Sequence, residues 1–261
     1  MLDASGYVVA QRQATVSAKT TGRLRDLYIQ EGQSVKAGEV IARLDDSNSL
    51  AALAQARAGV AQAQAGVQAA QVALNDARPI FSRNEQERSA AVISAQDFDA
   101  AKQTYDAAQT NFAIQQAALA AARANLLVAE RYQDDTVVRA PFTGVVTVKA
   151  AQPGDIVSPV SAGGGFTATG ICTIVDMDSL EAEVDVSENF IHRVTAGQAA
   201  TVRLNAYPDW AIPGQVVAII PTADRSKATV KVRVGFKTRD ARILPEMGAR
   251  VSFLGKAGEK S

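Results

Sequence analysis

The chain has little of what catalytic and metal chemistry is usually built from. It holds one cysteine, Cys172, and one histidine, His192, in 261 residues. A lone cysteine cannot close an intrachain disulfide, and one Cys with one His cannot complete a zinc site. Cys172, in Gly170-Ile171-Cys172-Thr173-Ile174-Val175, reads as a buried strand residue, and His192 as part of a short surface helix. Charge of one sign is also missing: 27 Lys+Arg balance 27 Asp+Glu. That removes the basic excess of a nucleic-acid binder, so no nucleic-acid partner is expected. Aromatics are 5% of the chain and long stretches are Ala- and Gln-rich, a bias toward closely packed helix. No run of about 18 apolar residues occurs, so no membrane-spanning helix is expected. No signal-peptide pattern is present, and Met1 leads straight into the strand-like Leu2 to Val9. A natural start, with any targeting segment, is therefore expected to have been trimmed. Gly163-Gly164-Gly165 with Thr167-Ala168-Thr169 lacks the Gly-Lys-Ser/Thr ending of a phosphate loop and reads as a turn. Asp178, Glu181, Glu183, Asp185 and Glu188 do not form a catalytic pair, since alternation puts several on a solvated strand face. No cofactor and no enzymatic activity are expected.

What is present is periodicity. Between Asp46 and about Gln133, large apolar residues recur every seven positions: Leu53, Val60, Val67, Leu74 and Phe81, then Phe98, Tyr105, Phe112, Leu119 and Leu126. Three residues after nearly every one stands alanine. Exceptions are Phe81 and Phe112, the latter followed by Gln115. A strict seven-residue repeat keeps one seam facing a partner helix, and alanine on half the seam lets two backbones approach. The break falls between Ser89 and Ser94, where Ser94-Ala95-Gln96-Asp97 resembles a capping box with Ser94 as N-cap. The first helix is expected to start after Ser47-Asn48, and Pro79 to kink or loosen it near the tip. Each arm is then roughly 60 Å long. Such a hairpin is marginal by itself. Its outer faces carry no charge from Ala58 to Asn75 and only Asp106 from Gln103 to Ala122. Gly59 and Gly66 form a small-residue notch, which predicts lateral packing against neighbouring copies; a neutral solvated face is the other reading.

The flanks of the hairpin repeat each other at a constant offset of 122 positions: Ala18 and Ala140, Gly22 and Gly144, Gly32 and Gly154, Val35 and Val157. Short β-branched runs with glycine turns suit a small sandwich, and neither half has enough strands to bury its own face. The halves should pair, closing the base of the hairpin. Beyond Val175, Leu180 to Val186 alternates as a half-buried strand, Ser187-Glu188-Asn189 opens a short helix through Val194, and strands follow at 202–204, 214–220, 229–236 and 249–254. Trp210 reads equally as a partner-facing aromatic or as part of a packed loop.

Each flank resembles half of a biotinyl/lipoyl carrier domain. The carrier's modified lysine would belong after Val40-Ile41-Ala42-Arg43-Leu44-Asp45-Asp46, where the hairpin stands instead, and no Met-Lys-Met-like turn is present. The ordered set of half-motif, hairpin, Arg139-Ala140-Pro141-Phe142-Thr143-Gly144 and following strands resembles the periplasmic adaptor subunits of tripartite efflux pumps. These are the membrane fusion proteins of the haemolysin-secretion-D type. The resemblance implies a multidomain α+β fold. A split lipoyl-like β-sandwich would occupy 7–45 and 136–175, an inserted antiparallel two-helix coiled-coil hairpin 46–135, and a β-barrel 176–254. The membrane-proximal domain would be absent or cut away. Implied partners are an inner-membrane transporter, an outer-membrane channel of the TolC type, and further copies in a ring, a hexamer. Ile171 to Met177 and Glu87 lean the transporter toward the ABC type over the proton-driven RND type. The implied location is the periplasm, at the inner membrane, with the anchor outside this chain. Relatives that dock on a channel carry Arg at the tip, Leu four residues later and Ser seven beyond. Arg83 and Ser94 fill the outer positions, whereas Glu87 replaces the Leu. A carrier subunit and a coiled-coil scaffold without a transport role remain as alternatives.

Overall fold

A computed structural model describes residues 2–159, 167–168, 170–224 and 228–254; the Gly163-Gly164-Gly165 turn lies outside them. The elements before the hairpin are β1 (Leu2–Ala10), β2 (Gln13–Val16), β3 (Gly22–Leu27), β4 (Ser34–Val35) and β5 (Val40–Leu44). The hairpin is α1 (Ser47–Ser89) and α2 (Ala95–Asp135). After it come β6 (Val137–Arg139), β7 (Gly144–Lys149), β8 (Ile156–Val157), β9 (Thr167–Ala168), β10 (Cys172–Val175) and β11 (Leu180–Ser187). The chain ends with β12 (Ala199–Leu204), β13 (Tyr207–Asp224), β14 (Thr229–Phe236) and β15 (Gly248–Phe253). Two compact units result: Met1–Thr21, Leu27–Ala42 and Arg139–Ser261 in one, Gly22–Asp26 and Arg43–Val138 in the other.

The 122-residue repeat holds in three dimensions. β3 and β7 occupy equivalent bounds, as do β4 and β8. In the turn of each half an N–H closes back on a carbonyl three residues earlier, Gln33 on Gln30 and Asp155 on Gln152. A side chain at that same residue accepts the returning N–H: Gln33 Oε1 from Gln30, Asp155 Oδ2 from Gln152. Gly32 and Gly154 sit at φ +81° and +102°, a left-handed conformation that glycine adopts without a Cβ penalty. In the first unit the halves interlock through backbone pairs of long sequence separation. Gly38 N–H donates to Ala140 O, Ala140 N–H to Glu39 O, and Val146 N–H to Gln33 O. One sandwich sheet runs β2-β10-β7-β4. Its buried residues include Val16, Val35, Val146, Cys172 and Ile174. Burial pushes the Cys172 thiol up to about 11, so it stays protonated and inert.

The same unit contains a closed six-stranded barrel, β1-β11-β14-β13-β12-β15. Valine dominates its core, with Val8, Val184, Val202, Val232, Val234 and Val251 fully buried around Ile212 and Phe253. The sequence reading began the sandwich at residue 7, yet β1 closes the barrel between β11 and β15. Alternation sends Ala4 and Val8 inward but cannot name the sheet that receives them. Gly6 decides it: a Cβ there would lie 1.9 Å from Glu183 O. The helix expected from Ser187 to Val194 is a single 3-10 turn, Ile191–Arg193, which exposes His192. The strand expected at 214–220 is the middle of the 18-residue β13.

In the second unit, α1 already includes the expected caps Ser47 and Asn48, and its N-cap lies one residue before them. Asp46 is the N-cap, and no side chain caps it. Asp45 instead accepts the Ser47 N–H and hydroxyl, and these bonds hold its carboxyl below the usual range. Helix geometry continues through Pro79 to Ser89. Gln133 ties the base, donating to Asp46 Oδ2 at 3.2 Å and accepting from Ser49 Oγ at 2.7 Å. From Phe98 to Ala129, the residues of α2 that escape full exposure are Phe98, Ala101, Tyr105, Ala108, Phe112, Gln115, Leu119, Ala122, Leu126 and Ala129. On α1, Leu53, Val60, Val67, Leu74 and Phe81 are half-buried or buried, as are Ala56, Ala63, Ala70 and Ala77. By length and composition alone α2 qualifies as a membrane-crossing helix, with a window of mean hydropathy 1.2.

Candidate functional site

The hairpin tip is built by a tight helix-to-helix turn. Ala91 N–H donates to Arg88 O and Val92 N–H to Glu87 O, which satisfies the last carbonyls of α1 in a Schellman pattern. The pattern needs a left-handed residue after the C-cap Ala90, and Ala91 supplies it at φ +58°. Glycine is usual there because a Cβ costs energy in this region. Ala91→Gly is therefore expected to stabilise the hairpin by about 0.5–1 kcal/mol, read as a higher urea midpoint of helical circular dichroism.

α2 then starts from Ser94, whose Oγ accepts the Asp97 N–H at 3.2 Å and donates to Asp97 Oδ2 at 2.7 Å. Below the turn, Phe81 stacks on Tyr105 with ring centroids 5.0 Å apart, and Phe98 lies 5.9 Å from Phe81. Arg88 covers the Phe98 ring at 4.8 Å, a cation–π contact that rigidifies the end of the arm.

Of the three tip residues named from sequence, Arg83 and Ser94 are exposed and Glu87 is half-buried. Arg83 and Glu87 are one turn apart, but no salt bridge joins them among the described residues. Sequence reasoning missed Val92, which is 72% exposed at the apex. The missed signal is the apolar Ala90-Ala91-Val92, where a turn ordinarily carries Gly, Asn or Asp.

The lateral positions divide. A Cβ on Gly66 would meet Gln115 Oε1 at 2.8 Å, so its space is taken by the partner arm of the same hairpin. A Cβ on Gly59 would meet nothing within 4 Å. Val72, Ile80, Ile114, Leu127, Val128 and Tyr132 are also more than half exposed.

Trp210 belongs to a packed cluster on the barrel. It packs against the barrel core and meets Tyr207 edge-on at 6.1 Å. Arg242 stacks 4.0 Å above the Trp210 ring. Asp240 fixes that guanidinium, with Nε to Oδ1 at 2.9 Å and Nη2 to Oδ2 at 2.8 Å. These bonds lower the Asp240 carboxyl to about 2. A depressed carboxylate stabilises the folded arrangement above its unfolded value and stops doing so as pH falls through the folded one. Since the chain has one tryptophan, its fluorescence is expected to stay constant from pH 7 to about 3.5 and to change with a midpoint near 2.

Comparison with known proteins agrees with this architecture. Residues 12–165 match the family model described as RND MFP, barrel-sandwich hybrid domain. Residues 182–257 match the CusB-like, beta-barrel domain. Multidrug resistance protein MdtA of Escherichia fergusonii is 27% identical over 256 residues, covering 95% of this chain and 57% of its own. The Klebsiella pneumoniae protein of that name is 28% identical over the same shares. This chain thus spans a little over half the length of those relatives. Among solved structures, MacA from Actinobacillus actinomycetemcomitans superposes with a TM-score of 0.83 at 20% identity, over 97% of this chain and 78% of that one. ZneB from Cupriavidus metallidurans gives 0.57 at 26%, over 98% and 70%. With a split sandwich, an inserted hairpin and a barrel in the matching order, the chain belongs to the membrane fusion protein family, the periplasmic adaptors of efflux pumps.

Proposed function

We propose that this chain is the hairpin-bearing part of a periplasmic adaptor. It joins an inner-membrane transporter to an outer-membrane channel of the TolC type and packs side by side with copies of itself in a ring of six. The observation that carries this reading is the hairpin. Its two helices of 43 and 41 residues turn their large seam residues toward each other and leave long faces that are exposed and almost uncharged. A solvated helix normally carries charge on such faces. The tip offers Arg83, Val92 and the Ser94 hydroxyl to a partner. Glu87 is turned partly inward, so the expected Leu position contributes less there than Val92.

For the transporter, an RND type is favoured here over the ABC type. Of the stretch that leaned toward ABC, Ile171 to Met177, all but Thr173 and Met177 are buried, while the matching sandwich model carries RND in its description.

The test is complementation in cells lacking the adaptor. Full-length protein carrying Arg83→Asp and Val92→Asp is expected to reduce resistance to exported compounds about tenfold while its helicity is unchanged. Undiminished resistance would remove the tip from the docking surface. In a parallel arm, Gly59→Leu is expected to lower the sedimentation coefficient of the assembled protein. An unchanged assembly would place lateral packing elsewhere.

A further inference from the structure

A cleft of about 590 Å³ opens in the first unit, lined by Val145 of β7, the crossing segment from Met177 to Glu181, the end of β14 and the loop around 238–244. That volume lies within the range of small-molecule sites, which combine apolar walls with a few polar groups. Here the walls are Met177, Leu180, Phe236 and Leu244.

Three carboxylates line the cleft, but two are already neutralised. Asp178 pairs with Arg239 at 3.2 Å, and Asp240 is held by Arg242. Glu181 has no partner among the described residues, and the strand ladder explains why. On the outward face of β11 it stands between Val9 of β1 and Gly235 of β14. Two residues on, Glu183 faces Arg233 and takes both Lys231 and Arg233, at 2.6 and 3.3 Å. Gly235 stands where the next cation of that row would be. It leaves Glu181 without a facing cation, and the space a side chain would take there is filled by Val217 of β13, 2.9 Å from where a Cβ would stand. One net negative charge therefore sits at the edge of a recess whose walls mix apolar side chains with polar ones.

We propose that this cleft binds a monocationic amphiphile, an organic amine or quaternary ammonium with an aromatic or alkyl body. The cation lies against Glu181 and the body on Met177, Phe236 and Leu244. The site belongs to this chain itself and stands whether or not the hairpin docks on a channel.

The experiment is a fluorescence-anisotropy titration of the chain with rhodamine 6G, a monocationic aromatic dye, and with the anionic 8-anilinonaphthalene-1-sulfonate. Saturable binding of the cation with a Kd on the order of 10 µM is expected, at least tenfold tighter than the anion. Glu181→Gln is expected to weaken it about tenfold, because the shape is kept and only the charge is lost. Leu244→Lys, at a 45% exposed position, is expected to weaken it at least as much without disturbing the fold, as checked by Trp210 fluorescence. Glu183→Gln, outside the cleft, should leave the affinity within about twofold. Absence of saturation, equal affinity for the anionic dye, or an unchanged Kd in Glu181→Gln would each overturn the proposal.

Discussion

Gly6→Ala is expected to open the barrel. The added Cβ would fall 1.9 Å from Glu183 O, 2.6 Å from Val184 Cα and 2.8 Å from Glu183 C. All three are backbone atoms of β11, so no side chain can swing aside. The ladder itself must spread, and β1 holds two ladders at once, to β11 and to β15. Overpacking of this kind costs on the order of 3 kcal/mol. For a unit of this size that is roughly 6–12 °C in Tm. The loss should be local: amide exchange in β1, β11 and β15 should accelerate while α1 and α2 keep their protection. A Tm within about 1 °C of the parent would show that the strands separate at little cost, contrary to the close approach.

A second large effect is expected where the chain crosses between sandwich and barrel, at residues 10–13 and again at 175–180. Asp176 holds the two crossings together. Its side chain is 7% exposed and accepts from Arg12 Nε at 2.8 Å, Arg12 Nη2 at 2.5 Å and the Asp178 N–H at 3.0 Å. Arg12 O takes the Asp176 N–H at 3.0 Å, and Gln11 N–H reaches Ser179 O at 2.8 Å. The guanidinium also covers the Phe142 ring at 5.5 Å.

The pair is asymmetric, because the Arg12 side chain is 62% exposed. Removing Asp176 leaves a guanidinium that water can solvate; removing Arg12 leaves a buried carboxylate with one backbone donor. Asp176→Ala is therefore expected to cost about 2 kcal/mol and Arg12→Ala as much or more, about 2–4 kcal/mol. Asp176→Asn keeps a single acceptor oxygen, which can serve the Asp178 N–H only by setting its NH2 against the guanidinium, so it should lose about as much as Asp176→Ala and less than Arg12→Ala. Urea midpoints at constant slope would check the order. Arg12→Ala milder than Asp176→Asn would contradict it.

How much of this was legible in the sequence depended on whether the information was local. The hairpin announced itself because a coiled-coil seam repeats in register with the chain, and every heptad restates it. The split sandwich was legible through the offset between Gly32 and Gly154, two positions that each need a left-handed backbone. β1 was not legible as a barrel strand, since its partners lie some 170 and 240 residues away and its alternation suits any sheet. Gly6 holds the clue, but a strand glycine has many meanings until the facing backbone is known. The same holds for Gly66, whose neighbour Gln115 interrupts the alanine ladder for a reason visible only across the seam. At the tip, capping by Ser94 followed from local spacing. The exposed Val92 and left-handed Ala91 did not, because an all-apolar turn carries no ordinary turn signature. In the cleft, Glu181 read as one of several solvated acids; only the cross-strand row showed that its neighbours are matched and it is not.

The insertion of the hairpin between two halves that fasten to each other gives the molecule an adjustable reach. The Gln133–Asp46 tie fixes the two arms against each other at their base, independently of how far they extend. Adding or deleting one heptad in each arm would move the tip by about 10 Å and return both seams to the same phase. Distance can thus be edited as a single parameter, in steps set by the repeat, while the sandwich and barrel keep their sequences unchanged.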